Sequence, residues 1–379
     1  MYDVAVVGAG LPGLTAAWRL ALGGLRVAVF ERRTIASESS ALAAGHVPQR
    51  SHALPVLRIL RRTRELVSEV SRFEVVGGLI ISRSRRNRAL FDEHVLTLAG
   101  WGVDSASTLE REEITLRWPE LRTDDIEAAL YCSEDGLVRS LDLAVGLAQH
   151  ARAAGVAIYE GCPVERLDVV GASVRGVVVA GRVVPAPRVV LAAGAWSGPL
   201  ARASGLNLPL RQFTLSAVML LGVPVRLPFL SDLDGGFYVV SRSPDAVLLG
   251  LPPRLDGSTG DPTPDRIADF ARTLASRVPT LQRARVAGGW TGLLVGTPDA
   301  APRLGPHPEL EGLHLATGFA GGGVQWVSAA EAVAQVILEQ PPFFDMTSHM
   351  CSRFSGYNGE PFDFPHGGPY FYDEAPPHL

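Results

Sequence analysis

Three glycines and one acid at fixed spacing carry the chemistry most easily read from this sequence. Gly8, Gly10 and Gly13 form a G-x-G-x-x-G run, and Glu31 follows about 20 residues on. Gly8 allows a tight turn, Gly10 lets the backbone approach a pyrophosphate, and Gly13, with Ala16 and Ala17 behind it, lets a helix pack close to a sheet. The helix start offers unpaired N–H groups and a partial positive charge to that pyrophosphate. Glu31 offers an acceptor pair to ribose hydroxyls. The run alone is a weak signal; its context makes it strong. Tyr2 to Val7 reads as a buried strand, Gly13 to Leu22 as a helix ended by Gly23-Gly24, and Leu25 to Phe30 as a second strand closing on Glu31. A dinucleotide site is therefore expected here. Further on, Ser39, Ser40, Gly45 and His46 admit two readings, a cap with a small-residue loop or a second phosphate and ribityl contact.

Composition removes several alternatives. The chain has 379 residues, enough for a large core and two domains, and a net charge of −4, which gives no argument for nucleic acid or an anionic membrane. All 35 basic residues are arginine, so any mechanism needing a lysine Schiff base or a lysine that activates oxygen is excluded. Cys132, Cys162 and Cys351 are far apart with no C-x-x-C, and the nine histidines form no H-E-x-x-H or H-x-H pair, so no metal is expected. The pair His349-x-Cys351 reads as incidental. No apolar run reaches the ~18 residues of a spanning helix, and the N-terminus reads as a strand without a basic leader. The expected protein is soluble and cytoplasmic.

The elements that must position these residues follow in order. Ala53 to Phe73 has a helical apolar period, with Arg58, Arg61, Arg62 and Arg64 on its solvated surface. Val75 to Ile81 reads as a strand, and Arg83, Arg85, Arg86 and Arg88 as an exposed turn. Glu110 to Leu121 is a helix start broken at Pro119, Ala129 to Cys132 a strand, Asp135-Gly136 a turn and Leu141 to Ala154 an amphipathic helix. Val156 to Tyr159 begins another unit, Val164 to Val184 alternates as a hairpin or three-strand meander, and Arg188 to Ala195 is a buried strand. Leu208 to about Gly289 reads as a mostly β insertion with one helix, Asp265 to Arg277. Leu313 to Gly318, Gly321-Gly322-Gly323 and a helix from Ser328 to Leu338 return to the first type. Pro341 to Leu379 has no convincing element and is either a tail on its own domain or a docking segment for a homo- or hetero-oligomeric partner.

Several of these stretches together resemble the D-amino-acid oxidase, glycine oxidase and sarcosine oxidase group of FAD-dependent amine oxidoreductases. They are VVGAGLPGLTAAWRLA with Glu31, SSALAAGHVPQR, EDGLVRSLDLAVGLAQHA, RVVLAAGAWS, WTGLLVGTPDAAPRLG and HLATGFAGGGVQWVSAAEAVAQVIL. The resemblance implies an α/β chain, α+β overall, with a Rossmann-like FAD-binding domain (1–77, 138–206, 286–340). A discontinuous, mostly antiparallel β-sheet substrate domain (78–137, 207–285) and a tail (341–379) complete it. It implies non-covalent FAD, since no cysteine falls in TGLLVGTPD. Carried over, Gly8, Ala9, Gly10, Gly13, Glu31 and Arg32 would hold the ADP half, and Ser39, Ser40, Gly45 and His46 would line the flavin's approach. Val164 would meet the adenine, Ala193, Gly194 and Trp196 the ribityl and phosphates. Gly292, Gly321, Gly322, Gly323, Val324 and Gln325 complete the cofactor set, the glycine-rich stretch presenting N–H donors to the flavin's N1/O2 edge.

The implied activity is oxidation of a C–N bond in a small amine or amino acid of the proline, glycine, sarcosine or D-amino-acid class. Two departures matter. Leu294 stands where glycine-oxidase-like members have arginine, and Gln325 where sarcosine-oxidase-like members have lysine. Candidate replacement groups are Arg50, Tyr238, Arg242, Gln325 and His46, with Tyr238 also readable as a sheet tyrosine and Arg242 as a surface ion-pair partner. Without a lysine, a dehydrogenase delivering electrons to a quinone, a dye-like carrier or a partner flavoprotein is expected over an oxidase. The alternatives are a flavoprotein subunit with a degenerate substrate site, acting in electron transfer or assembly, and oxidation of a non-carboxylate amine or a hydroxy acid.

Overall fold

Val4–Val7 and Val27–Phe30 are apolar at every position, the pattern of strands covered on both faces of a parallel sheet, and every one of these residues is buried. They pair in parallel, in register Val4 to Val27, with the helix Leu11–Leu22 crossing between them. A computed structural model describes residues 1–255, 260–320 and 323–363. In it the first sheet runs Arg303–Pro306, Leu313–Thr317, Arg188–Leu191, Val4–Val7, Val27–Phe30, Ala157–Tyr159. All neighbours are parallel except Arg303–Pro306 against Leu313–Thr317. The helices Leu11–Leu22, Ser140–Ala153 and Ala329–Ile337 pack together on one side, around Leu14, Ala17, Leu147 and Val333. The expected hairpin or meander is a three-strand antiparallel meander, Val164–Val170, Ser173–Val179 and Arg182–Pro185.

The second sheet draws on two separate parts of the chain. Its order is Arg285–Gly296, Arg211–Leu221, Ala246–Gly250, Phe237–Ser243, Phe229–Asp232, Gly78–Ser82, Ala128–Cys132, Ala106–Thr108. Only Phe229–Asp232 and Gly78–Ser82 are parallel neighbours. This is the discontinuous, mostly antiparallel sheet expected beside a Rossmann-like unit.

Three local expectations change. The stretch 286–296, assigned from sequence to the cofactor unit, lies in a strand paired with Arg211–Leu221 along its length, from Phe213 opposite Leu294 to Leu221 opposite Arg285, and so belongs to the second sheet. The expected turn after Arg83 is instead the entry to a helix, Arg85–Gly100. Its buried stripe is only Phe91, His94 and Leu98, and Leu90 and Leu96 face out, so the apolar period is faint in sequence. The start of the tail is anchored: Phe344, Met346 and Cys351 are buried against the chain's own core, and Arg353 pairs with Asp299 at 2.6 Å. Residues 364–379, the last part of the proposed docking segment, lie outside the described residues. No helix among the described residues is long and apolar enough to cross a membrane.

A charged cluster pins three helices behind the first sheet. Glu331, 4% exposed, accepts from Arg19 Nε at 2.5 Å and from Arg62 Nε and Nη2 at 2.6 and 3.0 Å. Ser328 Oγ donates to the Ile59 carbonyl at 2.8 Å beside it. Glu331→Ala should lower stability by about 2–3 kcal/mol. That is less than the about 3–5 kcal/mol of a fully buried pair broken from one side, because Arg19 and Arg62 keep Glu69 and Glu65. Urea unfolding tests this, and a loss under ~0.5 kcal/mol, the level of ordinary surface changes, would mean the cluster does not hold the helices.

Candidate cofactor and substrate site

Gly8 ends the first strand with φ +103°, in the left-handed region that favours glycine, and donates to the Phe30 carbonyl at 2.8 Å. A Cβ there would lie 2.6 Å from the Ala192 carbonyl oxygen, and one at Gly13 would lie 2.0 Å from the Gly8 carbonyl oxygen. The turn is thus folded onto the start of the helix and onto the neighbouring strand, with Gly10 on the cavity wall, where a Cβ would lie 3.1 Å from Ser40 Oγ. Glu31 closes the loop from the second strand. Its Oε2 accepts the Ala9 N–H and its Oε1 the Arg33 N–H, each at 2.9 Å. A carboxylate has about four lone-pair positions, so capacity for ribose hydroxyls remains.

These residues open onto a cavity of about 560 Å³, within the ~300–1,000 Å³ of small-molecule sites. It starts at the C-terminal edge of the parallel sheet, where doubly wound folds take ligands, and ends under the second sheet. Gly8, Gly10, Glu31, Arg32, Ser39, Ser40, Gly45, His46, Val164, Ala193, Gly194, Trp196, Gly292, Gly323, Val324 and Gln325 all line it. Ala9 and Gly13 do not; they shape the turn from behind. Gly321 and Gly322 lie outside the described residues. The Arg32 guanidinium stacks 3.5 Å over the Trp196 ring and pairs with Glu38. Ser40 Oγ accepts the Leu11 N–H at 3.2 Å, while Ser39 Oγ donates to the Leu293 carbonyl at 2.5 Å and so ties the loop to the second sheet. The serine loop folds as a short helical turn, Ser39–Leu42, and lines the cavity. The glycine turn, the residual capacity of Glu31 and the elongated cavity fit a dinucleotide such as FAD.

The far end carries the candidate substrate groups. His46 stacks on Phe229 with ring centroids 3.6 Å apart and planes 3° from parallel, and Phe229 stacks on Tyr238 at 5.5 Å. Tyr238 lies flat over Gly250, where a Cβ would meet its ring at 1.9 Å. Burial, partly countered by Arg242, pushes its phenol up to about 12, so it is a hydrogen-bond donor at neutral pH. Burial holds His46 below the ordinary imidazole range despite the carboxylate beside it, so its ring is neutral. That carboxylate is Asp135, 3.2 Å from His46 Nε2 and 3.0 Å from Arg50 Nη2. Arg50, His46, Tyr238, Leu294 and Gln325 all line the cavity. Arg242 does not; its guanidinium is half-buried behind the loop and donates to the Ala43 carbonyl at 3.4 Å.

Sequence reading missed Asp135, which looked like half of an Asp-Gly turn, and the aromatic contributions of Phe229 and Trp290. Only position on alternating strands would have signalled the last two. None of the cavity-lining residues is a cysteine, and among the described residues no group of three or more His, Cys, Asp or Glu is placed to hold a metal.

Comparison with known proteins agrees with this geometry. The sequence model of the family described as FAD dependent oxidoreductase (DAO) matches residues 3–336. Glycine oxidase of Geobacillus kaustophilus is 28% identical over 94% of this chain and 98% of its own length. Rat mitochondrial dimethylglycine dehydrogenase is 25% identical over 93% of this chain but only 45% of its own, so the chain spans less than half of that protein. In fold, the chain matches L-proline dehydrogenase from P. horikoshii with a TM-score of 0.88 at 22% identity, covering 93% of this chain and 97% of the other.

Gly13→Val should reduce FAD affinity at least ~10-fold, since its side chain must displace the Gly8 carbonyl and with it the turn, at about 1–3 kcal/mol of overpacking. Gly100→Ala, at a position with open space around it, should leave flavin content unchanged. Flavin-to-protein absorbance ratios after dialysis measure both, and a Gly13→Val protein that stays fully yellow would contradict the assignment.

Proposed function

The chain belongs to the FAD-dependent oxidoreductase family, and from that premise we propose that it oxidises the C–N bond of a small amino acid or secondary amine, of the proline, glycine, sarcosine or D-amino-acid class. We propose further that it acts as a dehydrogenase, passing electrons to a quinone, a dye-like carrier or a partner flavoprotein. The observation that carries this is one continuous cavity joining the dinucleotide turn to a wall of His46, Phe229 and Tyr238. Bound there non-covalently, FAD would supply a hydride acceptor. The residues of the first turn would hold its ADP half, and the Gly323–Gln325 segment its other end.

This chain's own groups do the positioning. The Tyr238 hydroxyl stays protonated and donates to a substrate carboxylate or to another acceptor. The neutral His46 ring orients an amine by accepting from it. Trp290, Phe229 and Leu294 exclude water from the reacting carbon. The near full-length similarity to a glycine oxidase supports an amino-acid substrate, and the absence of any lysine supports an acceptor other than oxygen. One observation favours a second reading. Leu294 and Gln325 leave two cavity positions uncharged, as in a flavoprotein subunit whose own substrate site has decayed and which serves electron transfer with a partner.

Anaerobic addition of L- and D-amino acids, proline, sarcosine and glycine to the yellow protein separates these readings. One of them should bleach the oxidised flavin band, and readmitted air should restore it slowly while a quinone or dye restores it at once. Fast recovery in air would make the protein an oxidase, and no bleaching by any of them would leave the non-catalytic reading. With the substrate found, Tyr238→Phe should raise KM about 10-fold, the loss of one hydrogen bond to a charged group at ~1.5 kcal/mol.

A further inference from the structure

Asp135 occupies a position that the proposed chemistry does not itself explain. Its side chain is fully buried, and it does not line the cavity, although His46 and Arg50 beside it do. Every polar atom it carries is engaged. Oδ2 meets Arg50 Nη2 at 3.0 Å and His46 Nε2 at 3.2 Å, and Oδ1 accepts the Gln49 N–H at 2.7 Å. Its backbone carbonyl accepts the N–H groups of Val76 and Gly77 at 3.1 and 2.9 Å. The packing is closed around it, since a Cβ at Gly78 would lie 2.0 Å from Oδ2.

Three consequences follow from elementary chemistry. Arg50 is always charged, and a buried carboxylate at 3.0 Å cancels that charge locally. With a carboxylate at its Nε2, the neutral His46 ring carries its proton there, leaving Nδ1 as an acceptor. The ring is also fixed in plane, parallel to Phe229, and through Phe229 to Tyr238. Burial works against an ionised Asp135, yet Arg50, His46 and the Gln49 amide together hold its carboxyl down to about 2.

We propose that Asp135 is a positioning residue for the substrate end of the cavity: it aims His46 and Arg50 at the cavity wall and neutralises Arg50 there, so that the wall admits a ligand without a net positive charge to grip it. The inference rests on FAD occupying this cavity and deepens that reading by stating the electrostatics of its substrate end. It differs from a purely structural role in one respect, the sign of the response. Removing the carboxylate unmasks a cation, and removing the cation unmasks a carboxylate.

The test uses the flavin-loaded full chain and benzoate as an anionic probe, titrated by its perturbation of the flavin absorbance at pH 7. Asp135→Asn should bind benzoate about 10-fold tighter than the native chain, and Arg50→Gln about 10-fold more weakly, the scale of one hydrogen bond to a charged group. The double Asp135→Asn, Arg50→Gln variant should return toward native. Equal or same-direction changes in the two single variants, with flavin content retained, overturn the proposal, as does benzoate failing to perturb the flavin of either the native chain or Asp135→Asn. If Asp135→Asn does not take up flavin, Arg50→Gln decides through the flavin midpoint potential, which should fall; an unchanged potential overturns the proposal. A native chain that takes up no flavin at all would instead remove the proposed function, and the two failures are therefore distinct.

Discussion

The close approach of the Gly8 turn to the end of the neighbouring strand sets the rest of the site. Strands Val4–Val7 and Arg188–Leu191 run parallel and finish at the same edge, where the Ala192 N–H donates to the Val7 carbonyl at 3.0 Å. A side chain at Gly8 would collide with Ala192, and one at Gly13 with Gly8 itself. Only with both hydrogens in place can the helix start, the Glu31 carboxylate and the Ala193–Trp196 segment converge on one opening. Glu31 is held there by the Ala9 amide, from inside the same turn. The turn, the acid and the second strand's end are therefore one unit and not separate recognition elements.

A second constraint is charge. A chain whose only cationic side chains besides histidine are arginines cannot place a titratable ammonium near the flavin, so any positive wall must come from groups that are always charged. The structure answers by pairing them. Arg32 stacks on Trp196 and pairs with Glu38, Arg277 pairs with Asp232 and Asp125, and Arg50 pairs with Asp135. Burying an arginine with an acid costs desolvation on both sides, and such pairs are seldom net stabilising. Their persistence at the cavity's margin is better understood as geometry, fixing neighbouring neutral groups such as His46 in one orientation.

What could be read from sequence was local. The G-x-G-x-x-G turn, its flanking strands and Glu31 lie within 31 residues, and each rule behind them concerns neighbours in the chain. The buried strand before Ala193 and the meander also followed from short-range alternation. Failures were of a different kind. Asp135 is 89 residues from His46, and nothing in an Asp-Gly pair says which histidine it will meet. Helix Arg85–Gly100 was missed because a narrow stripe of three buried residues and arginines in its first turn run against both the period and the dipole. The strand Arg285–Gly296 was placed with the wrong sheet because pairing partners far away in the chain decide it, as with Leu221 and Arg285 at one end and Arg211 and Gly296 at the other. Phe344 and Met346 looked idle in a tail without period, yet they cover the first core.

The uncharged positions Leu294 and Gln325 and the paired Arg50 point in one direction. A site that grips a carboxylate through an unpaired cation discriminates by charge, and the cost of a wrong ligand is large because a buried ion is left without a partner. Here the groups at the substrate end are a protonated phenol, a neutral imidazole, a carboxamide and apolar surface from Phe229, Trp290 and Leu294. Such a wall selects by shape and by single hydrogen bonds, with one methylene worth only about 1–3 kcal/mol of discrimination. On the proposed reading, such a wall is less exacting about the charge of its ligand than one with an unpaired cation, and the Arg50–Asp135 pair sets that balance.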